Sequence, residues 1–402
     1  MYYKRHITDT LKQMLAQFKV VLLTGPRQVG KSTLLRTELQ GYEYVTLDDM
    51  MELELAKTDP ALFFKNHRLP LIIDEVQYAP ELFKYIKFLL DKDSSKGQLC
   101  ITGSQTYSLM QNVGESLAGR IGILELQGLS VRERLEIDCN DFFIPNSEYI
   151  AGRAESKKPI GDVWEYIFRG SMPELSDTSL DWDFFYRSYV KSYIERDVRN
   201  LMNIKDGITF YKFMVALASR TGGLFNATDI ANTIGVSLKT VQSWVSVLEA
   251  SGIIFFLRPY ENNILKRVIK TPKVYFNDVG LVCYLVGWDN KAVAQNGAMA
   301  GALFETFVVS EIVKSWINKG LDVRNIFFYR DSNKKEIDLL IKRNATIFPI
   351  EIKMTATPTV SMARHFPVLK EMDNMETGTI LCQCEKNAFI SSTVQVLPIE
   401  MI

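Results

Sequence analysis

The 402-residue sequence predicts an α/β fold in several units: an open parallel sheet, a helical lid, a winged helix-turn-helix and a second α/β unit at the end. Three observations carry that prediction. An apolar run at 20–23 breaks into a glycine loop and then a helix-like stretch, as a buried parallel strand feeding a helix does. Residues 226–260 show helical apolar spacing around a small-residue turn. Residues 338–353 read as two strands about a tight turn, with an acid and a lysine alternating with isoleucines. A chain of this length exceeds the roughly 250 residues one core organises, so several units are expected.

Composition narrows the function classes. Lys+Arg and Asp+Glu are both 47, so the chain is no polycation and any nucleic-acid contact must come from local patches. No run reaches the roughly 18 apolar residues of a membrane span, which predicts no membrane partner and a cytoplasmic protein. The five cysteines, Cys100, Cys139, Cys283, Cys382 and Cys384, read as reduced thiols. Cys382 and Cys384 form a C-x-C, but with three histidines in the chain no second ligand pair completes a zinc site.

In the first unit, Gly25-Pro26-Arg27-Gln28-Val29-Gly30-Lys31-Ser32 fits G-x-x-x-x-G-K-[ST], with Thr33 next in the helix. Glycines let backbone N–H groups turn toward phosphates, and the helix N-terminus adds its positive dipole end. Lys31 is expected on the β- and γ-phosphates of ATP and Ser32 on Mg²⁺. Asp74 and Glu75 close an apolar strand 43 residues after Lys31, where open α/β sheets place ligands. Asp74 suits water-mediated Mg²⁺ binding and Glu75 suits polarising the attacking water. The next strand ends in Ser104 and Gln105, candidates for sensing the γ-phosphate. Arg120, before the fifth apolar strand, has three readings: an arginine finger toward a neighbouring subunit in a homo-oligomer, a ligand of its own nucleotide, or a helix cap.

In the middle, Ala231, Gly235 and Val241 stand at offsets of four and ten, the spacing of a helix-turn-helix, and Ser237 can cap its second helix. Val241, Trp244, Val245 and Leu248 form one apolar face. Lys239, Thr240, Gln242 and Ser243 are left outward, suited to phosphates and base edges of DNA. Six Lys/Arg against three Asp/Glu over 226–275 give a mild basic bias, and Glu261-Asn262-Asn263 reads as the tip of a wing. A lever or protein-docking role is the competing reading of this unit.

In the last unit, a two-residue turn at Asn344-Ala345 pairs Arg343 with Thr346 and, counting outward, Asp338 with Glu351. Two carboxylates so opposed, their Cβ atoms about 4.5–5.5 Å apart, repel and call for a cation. A surface ladder of acids and lysines is the plainer alternative. Glu305 lies on a helical stripe with Val309, Ile312 and Trp316, where an acid is costly unless it meets a metal or a cation.

The motifs "GPRQVGKST", "IIDEVQ", "TGSQ", "SLAGRIGILELQGLS", "IFRGSMPEL", "YVKSYIERDVRNL" and "TPKVYFNDVGLVCYLVG" together resemble the prokaryotic AAA+-like P-loop ATPases with an uncharacterised C-terminal domain, from about residue 18 to about 360. The resemblance implies a five-stranded ATPase core (1–136), a helical lid and linker (137–220), a winged helix-turn-helix (221–290) and a nuclease-like domain (291–402). In related signal-transduction ATPases a Gly-Gly-x-Pro turn touches adenine. Here Gly170-Ser171-Met172-Pro173 has Ser for the second glycine, and Pro173 is the corresponding candidate. Asp338, Glu351 and Lys353 match the D…ExK pattern of the PD-(D/E)xK nuclease superfamily, in which Asp338, Glu351 and a helical Glu305 would bind Mg²⁺ or Mn²⁺ and Lys353 would orient the water. Lys334 and Lys335, just before the hairpin, would guide a backbone phosphate.

Two functions follow as expectations. One is an ATP-hydrolysing protein that acts on DNA, its nuclease-like domain controlled by nucleotide state. The other is an ATP-dependent signalling switch whose last domain only binds nucleic acid or a partner.

Overall fold

The computed structural model describes residues 2–92, 95–103, 117, 119–192, 207–261, 271–371 and 374–402. Ser104 and Gln105 lie outside the described residues, as do Asn262 and Asn263 of the expected wing.

Five parallel strands form the first sheet: β1 (Val20–Thr24), β2 (Glu43–Thr46), β3 (Leu71–Asp74), β4 (Leu99–Gly103) and β5 (Ile121–Glu125), in the order β2-β3-β4-β1-β5. The central strands are buried on both faces. Val21 and Leu23 enter the large core shared with the rest of the chain, whereas Val20 and Leu22 enter a second core beneath the helix Glu81–Lys92. This two-faced burial explains why β1, β3 and β4 are continuous apolar runs rather than alternating ones.

The second sheet joins two sequence units. β6 (Ile254–Pro259) pairs antiparallel with β7 (Lys273–Phe276) as the hairpin behind the helix-turn-helix. The far end of β6 also pairs parallel with β8 (Ile326–Arg330), through Arg258–Phe327 and Pro259–Phe328. The sheet continues through β9 (Glu336–Arg343), β10 (Thr346–Lys353), β12 (Gly378–Cys382), β14 (Val394–Pro398) and β13 (Ala388–Ser391), while the short β11 (Asn374–Met375) pairs with β10.

The β9–β10 hairpin has the register counted from the sequence. Thr346 faces Arg343 and Ile350 faces Leu339, which brings Glu351 and Asp338 to the end of the paired stretch, where both meet Lys353. Asn344 (φ 49°) and Ala345 (φ 65°) both take the left-handed conformation that a tight two-residue turn requires. Pro349, inside β10, sits where that strand's other neighbour changes from β11 to β12, between the pairings of Ile347 and Ile350. A residue with no N–H to give fits at such a break.

One continuous apolar cluster runs from Ile7 through the lid and helix-turn-helix to Ile402. The four expected segments therefore share a core rather than hanging as beads. The helix Ala300–Asn318 is the axis of that packing. Its Glu311 Oε2 accepts from Val131 N (2.8 Å), and its Trp316 Nε1 donates to Phe143 O (2.9 Å). Among the described residues no helix is long and apolar enough to cross a membrane.

Candidate functional site

The loop after β1 folds as the glycine spacing predicts. Gly25 has φ 136°, and a side chain there would meet Leu126 O at 2.1 Å, so only glycine fits. Gly30 (φ 92°) precedes the helix Lys31–Glu38, and Gln28 (φ 62°) completes the turn. Arg27, Gln28, Val29, Gly30, Lys31, Ser32 and Thr33 line a cleft of about 1210 Å³, facing Glu75. Pro173, at the start of the turn Pro173–Ser176, also lines it, as do Leu180, Tyr2, Tyr3 and Arg5.

Lys31 is buried, and its Nζ donates to Gly25 O (2.9 Å) and Pro26 O (2.7 Å). Burial, opposed only in part by Glu75 and Asp74, pulls its pKa down to about 8. Asp74 accepts from Tyr44 Oη (2.7 Å) and from the Thr102 hydroxyl, and Glu75 N donates to Thr102 Oγ1 (3.3 Å). Glu75 itself takes φ 57° and accepts from the Gln77 side-chain amide. Thr102, two residues before Ser104, thus links the strand-end acids to the neighbouring strand. Sequence reading passed over it because one threonine inside an apolar strand carries no motif.

Arg120 stands at the other end of the sheet. It precedes Ile121, which lies beside Val20 at the start of β1, and its Nη2 pairs with Asp91 (3.0 Å). Five strand residues, about 16 Å at the usual rise, separate it from the glycine loop. That distance sets aside contact with its own nucleotide and leaves a neighbouring subunit or its own helix.

Two further contacts brace the cleft. Arg5 is buried and donates to Val29 O (2.8 Å) and Gln127 O (2.7 Å) while pairing with Glu133 (3.1 Å). Asp278 accepts from Ser171 N (2.7 Å), Ser171 Oγ (2.9 Å) and Tyr186 Oη (2.6 Å), besides capping the helix Val279–Val286. The serine in the second glycine's place therefore has a task, since its hydroxyl ties the lid to the segment behind the helix-turn-helix. Sequence reading missed Arg5 and Asp278 because their side-chain partners, Glu133 for Arg5 and Ser171 and Tyr186 for Asp278, lie far away in the sequence.

In the helix-turn-helix, Ala227–Ile234 and Leu238–Ala250 meet around Gly235, which is left-handed, and Ser237 Oγ accepts from Thr240 N (3.1 Å). Val241, Trp244, Val245 and Leu248 are buried. Lys239 and Gln242 are exposed, whereas Thr240 and Ser243 are half-buried and the Thr240 hydroxyl lies 2.8 Å from that of Ser237. The turn after this helix touches the glycine loop: a side chain on Gly252 would meet Pro26 at 2.9 Å.

The third cluster collects the acids of the last unit. Lys353 Nζ bonds Asp338 Oδ2 (2.9 Å) and Glu351 Oε2 (2.5 Å), and Ile352 N also donates to Asp338 Oδ2 (2.8 Å). Burial and the Asp338 charge raise the Glu351 pKa well above the usual carboxylate range. Burial alone would raise Asp338 too, but Lys353 and Lys273 hold it low. Glu305 pairs instead with Lys273 of β7 (3.0 Å), accepts from Tyr275 Oη (2.6 Å), and lies within electrostatic reach of Asp338. Lys273 bonds Glu336 as well (2.7 Å), and Arg330 meets the other oxygen of Glu336 (2.6 Å). Lys334 (φ 61°) and Lys335 are exposed in the turn before β9.

The donors Glu305, Asp338 and Glu351 are of the right chemistry for Mg²⁺ or Mn²⁺, but the arrangement does not fit one. Lysine ammonium groups hold oxygens of all three acids, and no group of three potential ligands is set around a common point among the described residues. Each of these acids, like Glu336, already meets a cation of the protein, Lys273, Lys353 or Arg330. Where the sequence leads one to expect a metal, Glu305 meets a cation of the protein, Lys273.

Comparison with known proteins agrees with the front of the chain and leaves the back open. Residues 17–135 match the model of an AAA domain, 160–292 a domain of unknown function (DUF8612), and 300–402 another (DUF4143). The chain is 28% identical over 361 residues to uncharacterized protein Rv2008c of Mycobacterium tuberculosis, covering 89% of this chain and 75% of that protein. It is 25% identical to uncharacterized protein MJ1637 of Methanocaldococcus jannaschii, covering 76% and 71%. Among solved structures, the Walker-type ATPase PABY2304 of Pyrococcus abyssi aligns with 71% of this chain and 96% of its own, at 16% identity and a TM-score of 0.45.

Proposed function

We propose for this chain, whose residues 17–135 match an AAA domain and 300–402 DUF4143, an ATP-hydrolysing, DNA-acting function in which the nucleotide state of the front cleft controls an acid–lysine, nuclease-like site at the back. One observation carries this reading. Pro26 of the glycine loop packs against Gly252, the turn that leads into β6, and β6 is a strand of the sheet that holds Asp338 and Glu351. A loop that closes on phosphates thus leans on the unit that bears both the helix-turn-helix and the acids.

The front chemistry rests on the residues themselves. The cleft exceeds the few hundred Å³ a nucleotide requires. Lys31, held by carbonyl dipoles alone among its hydrogen-bond partners, is available to exchange them for phosphate oxygens. Glu75 lines the same cleft as Lys31, where a carboxylate can polarise a water for attack. Ser32 and the buried Asp74 fit Mg²⁺, which when bound neutralises phosphate charge. Arg120, at the far end of the sheet, suits a partner's nucleotide in a homo-oligomer.

The test is cleavage of single-stranded, duplex and branched DNA in Mg²⁺ or Mn²⁺, with and without ATP, beside Lys31→Ala and Lys353→Ala. Cleavage lost in Lys353→Ala establishes the nuclease, and loss in Lys31→Ala establishes ATP control. ATP hydrolysis with no cleavage of any substrate favours the second reading, a nucleotide switch whose last domain binds without cutting. The pairing of these acids with lysines of the protein is the observation behind that second reading.

A further inference from the structure

The helix Ala300–Asn318 buries a glutamate and a lysine one turn apart. Glu311 is 7% exposed and Lys314 3%, and their side chains pair at 2.8 Å. A buried ion pair seldom stabilises a core better than apolar residues of the same size, so what else these two groups hold is the feature to explain. Both reach the segment that follows β5. Glu311 Oε2 accepts from Val131 N (2.8 Å), and Lys314 Nζ donates to Leu129 O (3.3 Å). Leu129 lines the nucleotide cleft. The same segment is bonded to the other walls of that cleft. Leu126 N donates to Thr24 O (2.8 Å), just before the glycine loop, and Arg5 ties Gln127 O to Val29 O. Leu129 N donates to Ser171 O (2.7 Å), two residues before Pro173.

We propose that Glu311 and Lys314 are positioning residues for the nucleotide cleft: from the last unit of the chain they fix the backbone of Leu129 and Val131, and with it the links from that segment to the glycine loop and to the Pro173 turn. The proposal rests on reading the cleft as the ATP site, and on it the last unit completes that site. The choice of charged groups follows from the geometry. An ammonium gives Leu129 O a charged donor and a carboxylate gives Val131 N a charged acceptor, and such bonds are stronger than neutral ones. An apolar pair in their place would take both partners from a buried stretch of backbone. Arg134, at the end of the helix Val131–Arg134, donates to Gly170 O (2.8 Å) and lies within electrostatic reach of Glu311. The one carboxylate therefore bears on the segment after β5 and on the lid turn together.

The experiment measures ADP affinity by calorimetry and ATP turnover by ADP release, on the full chain and well below its unfolding temperature. The proteins are wild type, Lys314→Met, and a double variant joining Lys314→Met to Glu311→Gln. Lys314→Met keeps the volume of the stem and removes the bond to Leu129 O. The double variant leaves neither partner of the pair charged, and its amide oxygen still serves Val131 N, so it replaces the single variant should that one not fold. Loss of one charged hydrogen bond at the cleft wall is expected to weaken ADP binding by about tenfold in both variants. KM for ATP should rise by a similar factor while kcat changes less, a split that a loss of core stability alone does not produce. A folded double variant that binds ADP as wild type does overturns the proposal, because the pair then serves the core only. Wild type that binds no nucleotide overturns the reading of the cleft itself, and the proposal with it, so the two failures are told apart.

Discussion

Lys31 and Lys273 are both nearly inaccessible lysines, and they sit in opposite electrostatic states. Lys31 hydrogen-bonds to two carbonyl oxygens, so burial wins and its pKa falls to about 8. Lys273 is ringed by carboxylates, so their charge wins over burial and its pKa rises. The difference lies in what each side chain still lacks. A lysine held by dipoles alone gains from an anion, as a nucleotide cleft requires, whereas a lysine held by full charges is already satisfied and acts as structure.

The largest expected effect breaks this contrast at its structural end. Lys273→Met leaves the half-buried Glu305 without its counter-ion and Glu336 with Arg330 alone, and is expected to cost up to about 3 kcal/mol in urea unfolding. Lys31→Ala removes only bonds to loop carbonyls and is expected to change stability little while lowering ATP turnover by about 100-fold or more, read as ADP release. A matching stability loss in both variants would erase the distinction.

A pH series sharpens it. Near pH 8 unliganded Lys31 is only partly protonated, and phosphates stabilise the charged form, so ATP binding should take up a proton there. ATP affinity is then expected to fall by up to tenfold per unit as pH rises past about 8. Calorimetry in buffers of different ionisation enthalpy measures the proton directly.

His67 offers a smaller comparison on the front sheet. It lies between Glu43 and Glu52, 2.9 Å from each, and although burial opposes its charge the two carboxylates raise its pKa. A raised folded pKa gives stability that is fully present below the unfolded value near 6.5 and is lost as pH climbs through the folded one. His67→Gln should therefore cost no more than about 1 kcal/mol at pH 6, after allowance for solvent screening, and less at pH 8. The smallest effect tests the hairpin register. Ala345→Gly removes a side chain from a left-handed position and is expected to stabilise by about 0.5–1 kcal/mol in thermal unfolding.

Local chemistry was legible in the sequence and long-range pairing was not. The glycine loop, the acids ending β3, the Ser237 cap and the Asn344-Ala345 turn are each specified by a few neighbouring residues. The hairpin carries this furthest, because a two-residue turn fixes the pairing beyond it as far as Leu339 with Ile350. Glu305 was legible only by half. An acid on an apolar stripe announces that it needs a cation, but nothing local says that the cation is a lysine 32 positions earlier on a different unit. Arg5 with Glu133, and Ser171 with Asp278, have the same character. Such pairs form because the shared core brings distant segments together, and no periodicity records them.

The double membership of β6 has a consequence for motion. Its amides and carbonyls serve the wing hairpin at one end and β8 at the other, with Tyr260 N donating to Phe328 O at 2.6 Å just beyond. Swinging the helix-turn-helix away from the acid sheet would require those backbone bonds to open. The two should therefore exchange their amide hydrogens as one cooperative block, with faster exchange beginning only at the turn around Gly252. On the proposed DNA-acting reading, a segment held by the helix Leu238–Ala250 would then be presented to the acids at a fixed angle.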